Sequence, residues 1–185
     1  MEEKPASCKK EIIKRIAITG PESTGKSVLA EQLALHFKTS WVPEFARNYI
    51  AELNRPYHEQ DILHIAKTQL KQERIYSKKA GTFLFCDTEL LVCKIWSENA
   101  FGHCDPWITK HIQKHHYDLY LLMDVDLPWQ PDPLREHPNK RDYFFDLYLR
   151  ELSSRKLPYS IISGIGEKRK VNAIKNIVNF FELKE

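Results

Sequence analysis

Apolar residues along this chain fall into two alternating rhythms. Short unbroken runs occur at Ile16-Ala17-Ile18-Thr19, Ser40-Trp41-Val42, Thr82-Phe83-Leu84-Phe85-Cys86-Asp87, Tyr117 through Asp124, and Tyr159-Ser160-Ile161-Ile162-Ser163. Between them lie stretches whose apolar positions recur every three or four residues, the helical period. The first carries Val28, Leu29 and Leu33 and ends near Phe37, and Phe45 to Ile50 follows and is halted before Pro56. Glu59 to Lys79 sets Ile62, Ile65, Ala66, Gln69, Leu70 and Ile75 on or near one face, and Ala80-Gly81 ends it. Thr88 to Phe101, Pro106 to His116, Phe144 to Leu152 and a terminal segment with Val171, Ile174, Ile177, Val178 and Phe181 complete the set. Runs apolar on both sides are what a parallel sheet covered on both faces requires. The pattern predicts an α/β fold of about five parallel strands with helices on both faces. No repeat, low-complexity tract or linker interrupts it, so a disordered tail over 1–10 and one domain over 11–185 are expected.

The turn after the first strand carries the chemistry. Gly20-Pro21-Glu22-Ser23-Thr24-Gly25-Lys26-Ser27 matches G-x-x-x-x-G-K-[ST] at every fixed position, between a strand and a helix. Gly20 and Gly25 let the backbone curl so that successive N–H groups point at a phosphate, and the helix start adds its positive end. Lys26 brings a charge to the β- and γ-phosphates, and the Ser27 hydroxyl is a Mg²⁺ ligand. Glu22, Ser23, Thr24 and Val28 complete the predicted ATP contacts, so this is a P-loop NTPase fold. Asp87 closes a buried strand expected beside the P-loop strand, where it is a second Mg²⁺ contact or a general base. Glu44 ends the short second strand and faces the acceptor, either taking its proton or holding sugar hydroxyls; a salt bridge to Arg47 is the plainer role. Thr88 either bonds substrate or caps the next helix.

Between the fourth strand and the following helix, Asp126 to Asn139 holds Pro128, Pro131, Pro133 and Pro138, which exclude a helix or a central strand. A kinase lid belongs at this position, over about residues 127–141, bringing Arg135 and Arg141 to the transferring phosphoryl group. A solvated loop with surface ion pairs is the simpler alternative. Trp41, Trp96, Trp107 and Trp129 are candidates to stack on a flat base, Trp129 first because it stands at the lid's entrance; core packing is the ordinary role of the rest. Gly164-Ile165-Gly166 and Arg169 follow the last strand, where kinases of this fold hold adenine, and leave ATP and GTP both open.

Composition narrows the class. The 185 residues suit one sheet and its helices, without room for a motor's accessory parts, and no N-K-x-D guanine-reading tetrapeptide is present. A net charge of +3 without a basic stripe argues against a nucleic-acid partner. No apolar run is long enough to span a membrane, and the polar first ten residues lack a signal-peptide core, so a cytoplasmic protein is expected. Cys8, Cys86, Cys93 and Cys104 form no C-x-x-C pair and read as reduced thiols. His103, Cys104, His111, His115 and His116 match no zinc spacing. The reading is a Mg²⁺-ATP-dependent kinase of a small nucleoside-like acceptor, of undetermined oligomeric state. A kinase of another nucleoside or small metabolite, and an ATP-binding regulatory module without acceptor, are the alternatives.

With Gly20 to Ser27, the segments Pro43-Glu44-Phe45-Ala46-Arg47-Asn48-Tyr49, Phe85-Cys86-Asp87-Thr88-Glu89-Leu90-Leu91, Tyr117-Asp118 through Asp124, and Trp129 through Arg135 occur in one order. In this the chain resembles, over nearly its whole length, the ribosylnicotinamide (nicotinamide riboside) kinase domain of NadR-type proteins. The resemblance implies transfer of the ATP γ-phosphoryl group to the 5′-hydroxyl of nicotinamide riboside, giving nicotinamide mononucleotide for NAD synthesis. It also implies that Glu44, Arg47, Tyr49, Asp87, Thr88 and Trp129 contact the acceptor. Bifunctional members carry a preceding adenylyltransferase domain, often with a DNA-binding segment; about ten residues precede the first strand here, so neither is expected. Those members also tend to have Trp before the matching glutamate, as part of a nicotinamide sandwich. This chain has Pro43, so either Trp41 or Trp129 takes over the stacking or the acceptor is not nicotinamide riboside.

Overall fold

The structure, a computed structural model, describes residues 13–183, so the expected tail over 1–10 lies outside the described residues. Five strands form one all-parallel sheet: β1 (Lys14–Thr19), β2 (Ser40–Val42), β3 (Phe83–Asp87), β4 (Leu119–Met123) and β5 (Tyr159–Ile162), in the order β2-β3-β1-β4-β5. The helices between and after them are α1 (Lys26–His36), α2 (Phe45–Glu52), α3 (Glu59–Tyr76), α4 (Leu90–Phe101), α5 (Pro106–Lys114), α6 (Arg141–Ser154) and α7 (Glu167–Phe180). β1 is central and sets Ile18 beside Asp87 of β3 and Thr19 beside Leu122 of β4. The carboxyl ends of the strands therefore share one edge, where open α/β sheets bind ligands.

Alternation along the strands builds two cores. Ile16, Ile18, Phe83, Phe85, Leu119 and Leu121 pack with α1 and α7 through Leu29, Leu33, Ala173 and Ile177. The intervening Ala17, Leu84, Cys86, Tyr120 and Leu122 pack with α4 and α6 through Leu91, Ile95, Tyr148 and Leu152. A third cluster joins α3, α4 and α5 through Ile62, Ile65, Leu90, Ile108 and Ile112. Burial on both faces explains why β3 and β4 read as unbroken apolar runs.

Several element ends differ from expectation. The long helix stops at Tyr76, and Ile75, placed with its apolar face, is 48% exposed. The helix after β3 starts at Leu90 rather than Thr88, and α6 starts earlier, at Arg141. Val171 of α7 is exposed, whereas Ala173 and Ile177 carry the contact with the sheet. Among the described residues, no helix is long and apolar enough to cross a membrane. No group of three or more His, Cys, Asp or Glu among them could hold a metal ion. His103 meets Glu59 at 2.9 Å and His115 meets Glu73 at 2.7 Å.

Candidate active site

The turn from β1 to α1 adopts the backbone its glycines permit. Gly20 has φ +129°, and a Cβ there would stand 3.1 Å from the Met123 carbonyl oxygen, so only glycine fits. Gly25, at φ +81°, is the residue before α1 and leaves that helix start open to an anion. Thr24 is fully buried, and its hydroxyl donates to the Pro21 carbonyl at 2.8 Å, which braces the curl from inside. The Lys26 ammonium donates to the carbonyls of Gly20 (2.9 Å) and Pro21 (2.7 Å). Burial lowers its pKa, while the carboxylates of Glu44 and Asp87 push the other way.

Those two carboxylates stand at the ends of the neighbouring strands β2 and β3. Asp87 is 1% exposed, and its Oδ1 has no hydrogen-bond partner in the protein. Burial first, and the charge of Glu44 second, raise its pKa from 3.8 to about 6; the Ser27 hydroxyl and the Glu44 N–H facing the carboxylate pull back without satisfying Oδ1. A buried carboxylate oxygen without a partner, beside an exposed serine hydroxyl, is an oxygen donor set that fits Mg²⁺.

The supporting residues include some the sequence reading did not single out. Gln69, 2% exposed on the buried face of α3, donates to the Asp87 carbonyl (3.3 Å) and accepts the Phe45 N–H (3.2 Å). It thus fixes the backbone beside both carboxylates. A glutamine falling among Ile62, Ile65, Ala66 and Leu70 at helical spacing was the available signal. Thr88 is not the helix cap: it is buried at φ +67°, with its N–H bonded to the Ile18 carbonyl at 3.1 Å. That turn passes the cap to Glu89, whose carboxylate accepts the Leu91 N–H and the Thr19 hydroxyl, the latter at 3.1 Å. Burial raises the Glu89 pKa to about 7.

The segment between β4 and α6 lies across the P-loop. Gln130 donates its N–H to the Ser23 hydroxyl at 2.9 Å, and the N–H groups of Glu136 and His137 each reach a Glu22 carboxylate oxygen at 3.2 Å. Arg135 donates to the Gln130 carbonyl and lies 3.4 Å from the Ser23 hydroxyl. Arg141 donates to the Leu127 carbonyl at 2.7 Å. The Trp129 ring lies 6.0 Å from the Arg135 guanidinium and 5.8 Å from that of Arg141. On the other side Arg47 pairs with Asp132, so Arg47 turns to the lid and not to Glu44. Arg169, 4% exposed, ties the base together: it donates to the carbonyls of Gly164 and Thr24, each at 2.6 Å, and pairs with Asp126.

These elements enclose a cleft of about 570 Å³. Residues 20–29, Glu44, Arg47 and Arg135 are among its lining. Ile50, Tyr57, Ile95, Trp96, Asn99 and Tyr148 line it as well. Trp96 therefore faces the cleft, while Trp41 packs beside Phe37 under the sheet and Trp107 stacks on His111 at 3.7 Å. Trp129 lies against the lid arginines, outside the cleft's lining. Tyr49, also outside it, donates its hydroxyl to Asp61 at 2.8 Å; Asp61 is held well below the usual carboxylate range by the Arg55 fork. The sequence does not say which tryptophan reaches the cleft, because that depends on how α4 crosses the sheet.

A parallel sheet in 2-3-1-4-5 order, a phosphate-binding turn after β1 and an arginine-bearing lid after β4 define a P-loop nucleotide-binding domain of the nucleoside-kinase fold. The chain belongs to the AAA domain family, whose model matches residues 15–169. It is 28% identical over 137 residues to the trifunctional NAD biosynthesis/regulator protein NadR of Salmonella typhimurium, covering 71% of this chain and 33% of that protein. It thus spans about a third of the curated relative's length. A crystal structure of a NadR protein in complex with NR superposes with TM-score 0.79 at 21% identity, covering 93% of this chain and 52% of that one. Deoxyadenosine kinase from M. mycoides, with products bound, gives 0.61 at 14% identity, covering 89% and 98%.

Proposed function

We propose that this chain transfers the γ-phosphoryl group of MgATP to the 5′-hydroxyl of nicotinamide riboside, giving nicotinamide mononucleotide for NAD synthesis in the cytoplasm. One observation carries this reading: a single cleft is lined by the phosphate turn with Lys26, by Glu44 and by the aromatic side chains of Tyr57, Trp96 and Tyr148. The NAD-biosynthesis role in the relative's name, and the NR held by the structurally similar NadR, support the choice of acceptor.

The curled backbone of residues 20–25 and the start of α1 receive the β- and γ-phosphates, to which Lys26 turns from its carbonyl partners. Ser27 and Asp87 would hold Mg²⁺, which when bound neutralises charge shared between those phosphates. Arg135 lies at the cleft and meets the charge of the transferring group, while Arg141 and Trp129 hold the lid that carries it. The acceptor oxygen forms its bond to the γ-phosphorus as the bond from phosphorus to the ADP oxygen breaks. Glu44, the carboxylate that lines the cleft, takes the hydroxyl proton. Tyr49, Thr88 and Trp129 stand back from this exchange and position the segments around it.

The test is ADP release with MgATP, with and without nicotinamide riboside, beside a panel of ordinary nucleosides. Stimulation by nicotinamide riboside is expected. Stimulation by a different nucleoside alone would reassign the acceptor, and none by any acceptor would leave an ATP-binding module.

A further inference from the structure

Backbone pairing between β2 and β3 ends at Val42 and Cys86, so Glu44 and Asp87 lie just past the last rung these strands share. A buried side chain from α3 continues the pairing. Gln69 accepts the Phe45 N–H at Oε1 (3.2 Å) and donates from Nε2 to the Asp87 carbonyl (3.3 Å). A side-chain amide accepts at one end and donates at the other, as a peptide group does between two strands. The Glu44 N–H faces the Asp87 carboxylate, so the two strand ends are tied directly and again through Gln69.

The same bond settles where the Glu44 side chain goes. Phe45 is the first residue of α2, and a helix start leaves its N–H groups without partners inside the helix. Glu44 stands in the cap position, yet its side chain makes no capping bond. It lines the cleft instead, and its charge reaches both Lys26 and Asp87. An acceptor for the start of α2 comes from another helix, through Gln69.

We propose that Gln69 is a positioning residue for phosphoryl transfer, a substitute rung that fixes Glu44 relative to Asp87 and keeps the Glu44 carboxylate in the cleft. The inference rests on the roles proposed above for those two carboxylates. Without the amide, the Phe45 N–H loses its partner next to a carboxylate in the cap position, and the unpaired donor draws Glu44 back to its own helix. The Asp87 carbonyl loses the Gln69 donor in the same step, so the tie between α2 and the end of β3 is cut.

The experiment is a double-mutant cycle of Gln69→Met, similar in length but unable to bond at either end, with Glu44→Gln. It is read as MgATP-dependent turnover of nicotinamide riboside by the full chain. Gln69→Met alone should lower kcat about 10–100-fold while the KM for MgATP stays within about threefold, because the phosphate turn keeps its own contacts. In the Glu44→Gln background the same substitution should lower the residual kcat less than about threefold, since the group it positions is already gone. A merely structural role would give equal losses in both backgrounds. Should Gln69→Met fail to fold, Gln69→Asn, still polar but too short to span both partners, goes through the same cycle. Equal losses in the two backgrounds, or an unchanged kcat, would overturn the positioning role and leave the kinase reading standing. A wild type without acceptor-stimulated turnover would overturn the kinase reading and this role with it.

Discussion

Asp87→Asn is the substitution in which the cost and the use of the site's buried charge separate. The carboxyl is 1% exposed, Oδ1 has no partner, and its pKa stands at about 6 instead of 3.8. An unfolded chain releases this proton near 3.8 and the folded protein near 6, so between those values the folded state binds more protons. The group's contribution to stability is therefore fully present below the lower value and is lost as pH rises through the upper one. At 1.36 kcal/mol per pKa unit, holding Asp87 ionised costs the folded protein about 3 kcal/mol at neutral pH. Asparagine keeps the shape of the neutral form and removes that cost. In metal-free buffer the variant should be more stable than the wild type by about 1–3 kcal/mol at pH 8, with the difference shrinking toward pH 4. Urea unfolding midpoints at several pH values measure it. Turnover should fall on the order of 10³-fold, since the amide cannot replace the carboxylate toward Mg²⁺. A variant less stable than the wild type at pH 8, or a gap that ignores pH, would refute the reasoning.

Two further perturbations address the turn and its support. Lys26→Ala should lower kcat/KM on the order of 10³-fold or more, read by coupled ADP release; wild-type turnover would remove the phosphate assignment of the turn. Arg169→Ala should lower unfolding free energy by about 3 kcal/mol, because it strips the carbonyls of Gly164 and Thr24 of a buried donor. A loss under about 1 kcal/mol in urea unfolding would mean that this residue does not tie the base of the site.

What was legible in the sequence is what local chemistry dictates. The turn at residues 20–27 is read from spacing alone, because its glycines and lysine answer to backbone geometry within eight residues. The parallel sheet is read from runs such as Phe83 to Cys86, which only burial on both faces tolerates. What stayed hidden depends on residues far apart in the chain. Arg169 reaches Thr24, and Glu22 reaches His137, across more than a hundred positions. The exchange of Thr88 for Glu89 as helix cap has a local cause, the left-handed backbone at Thr88, which ordinary cap preferences do not foresee.

The lid's attachments join two requirements in one segment. Ser23 and Glu22 belong to the phosphate turn, yet the hydroxyl and carboxylate they present accept lid N–H groups from Gln130, Glu136 and His137. Those same contacts hold Arg135 close enough to Lys26 for its charge to lower the lysine's pKa, and hold Glu136 against Tyr57. Arg135, the cation proposed for the transferring group, and Glu136, which accepts the Tyr57 hydroxyl, thus ride on neighbouring residues. Were the lid to lift, the cleft would lose the Arg135 charge and the Glu136 contact together. On the proposed reading, the lid that brings Arg135 to the phosphates is the one that covers the turn, so charge and shelter from water would arrive together.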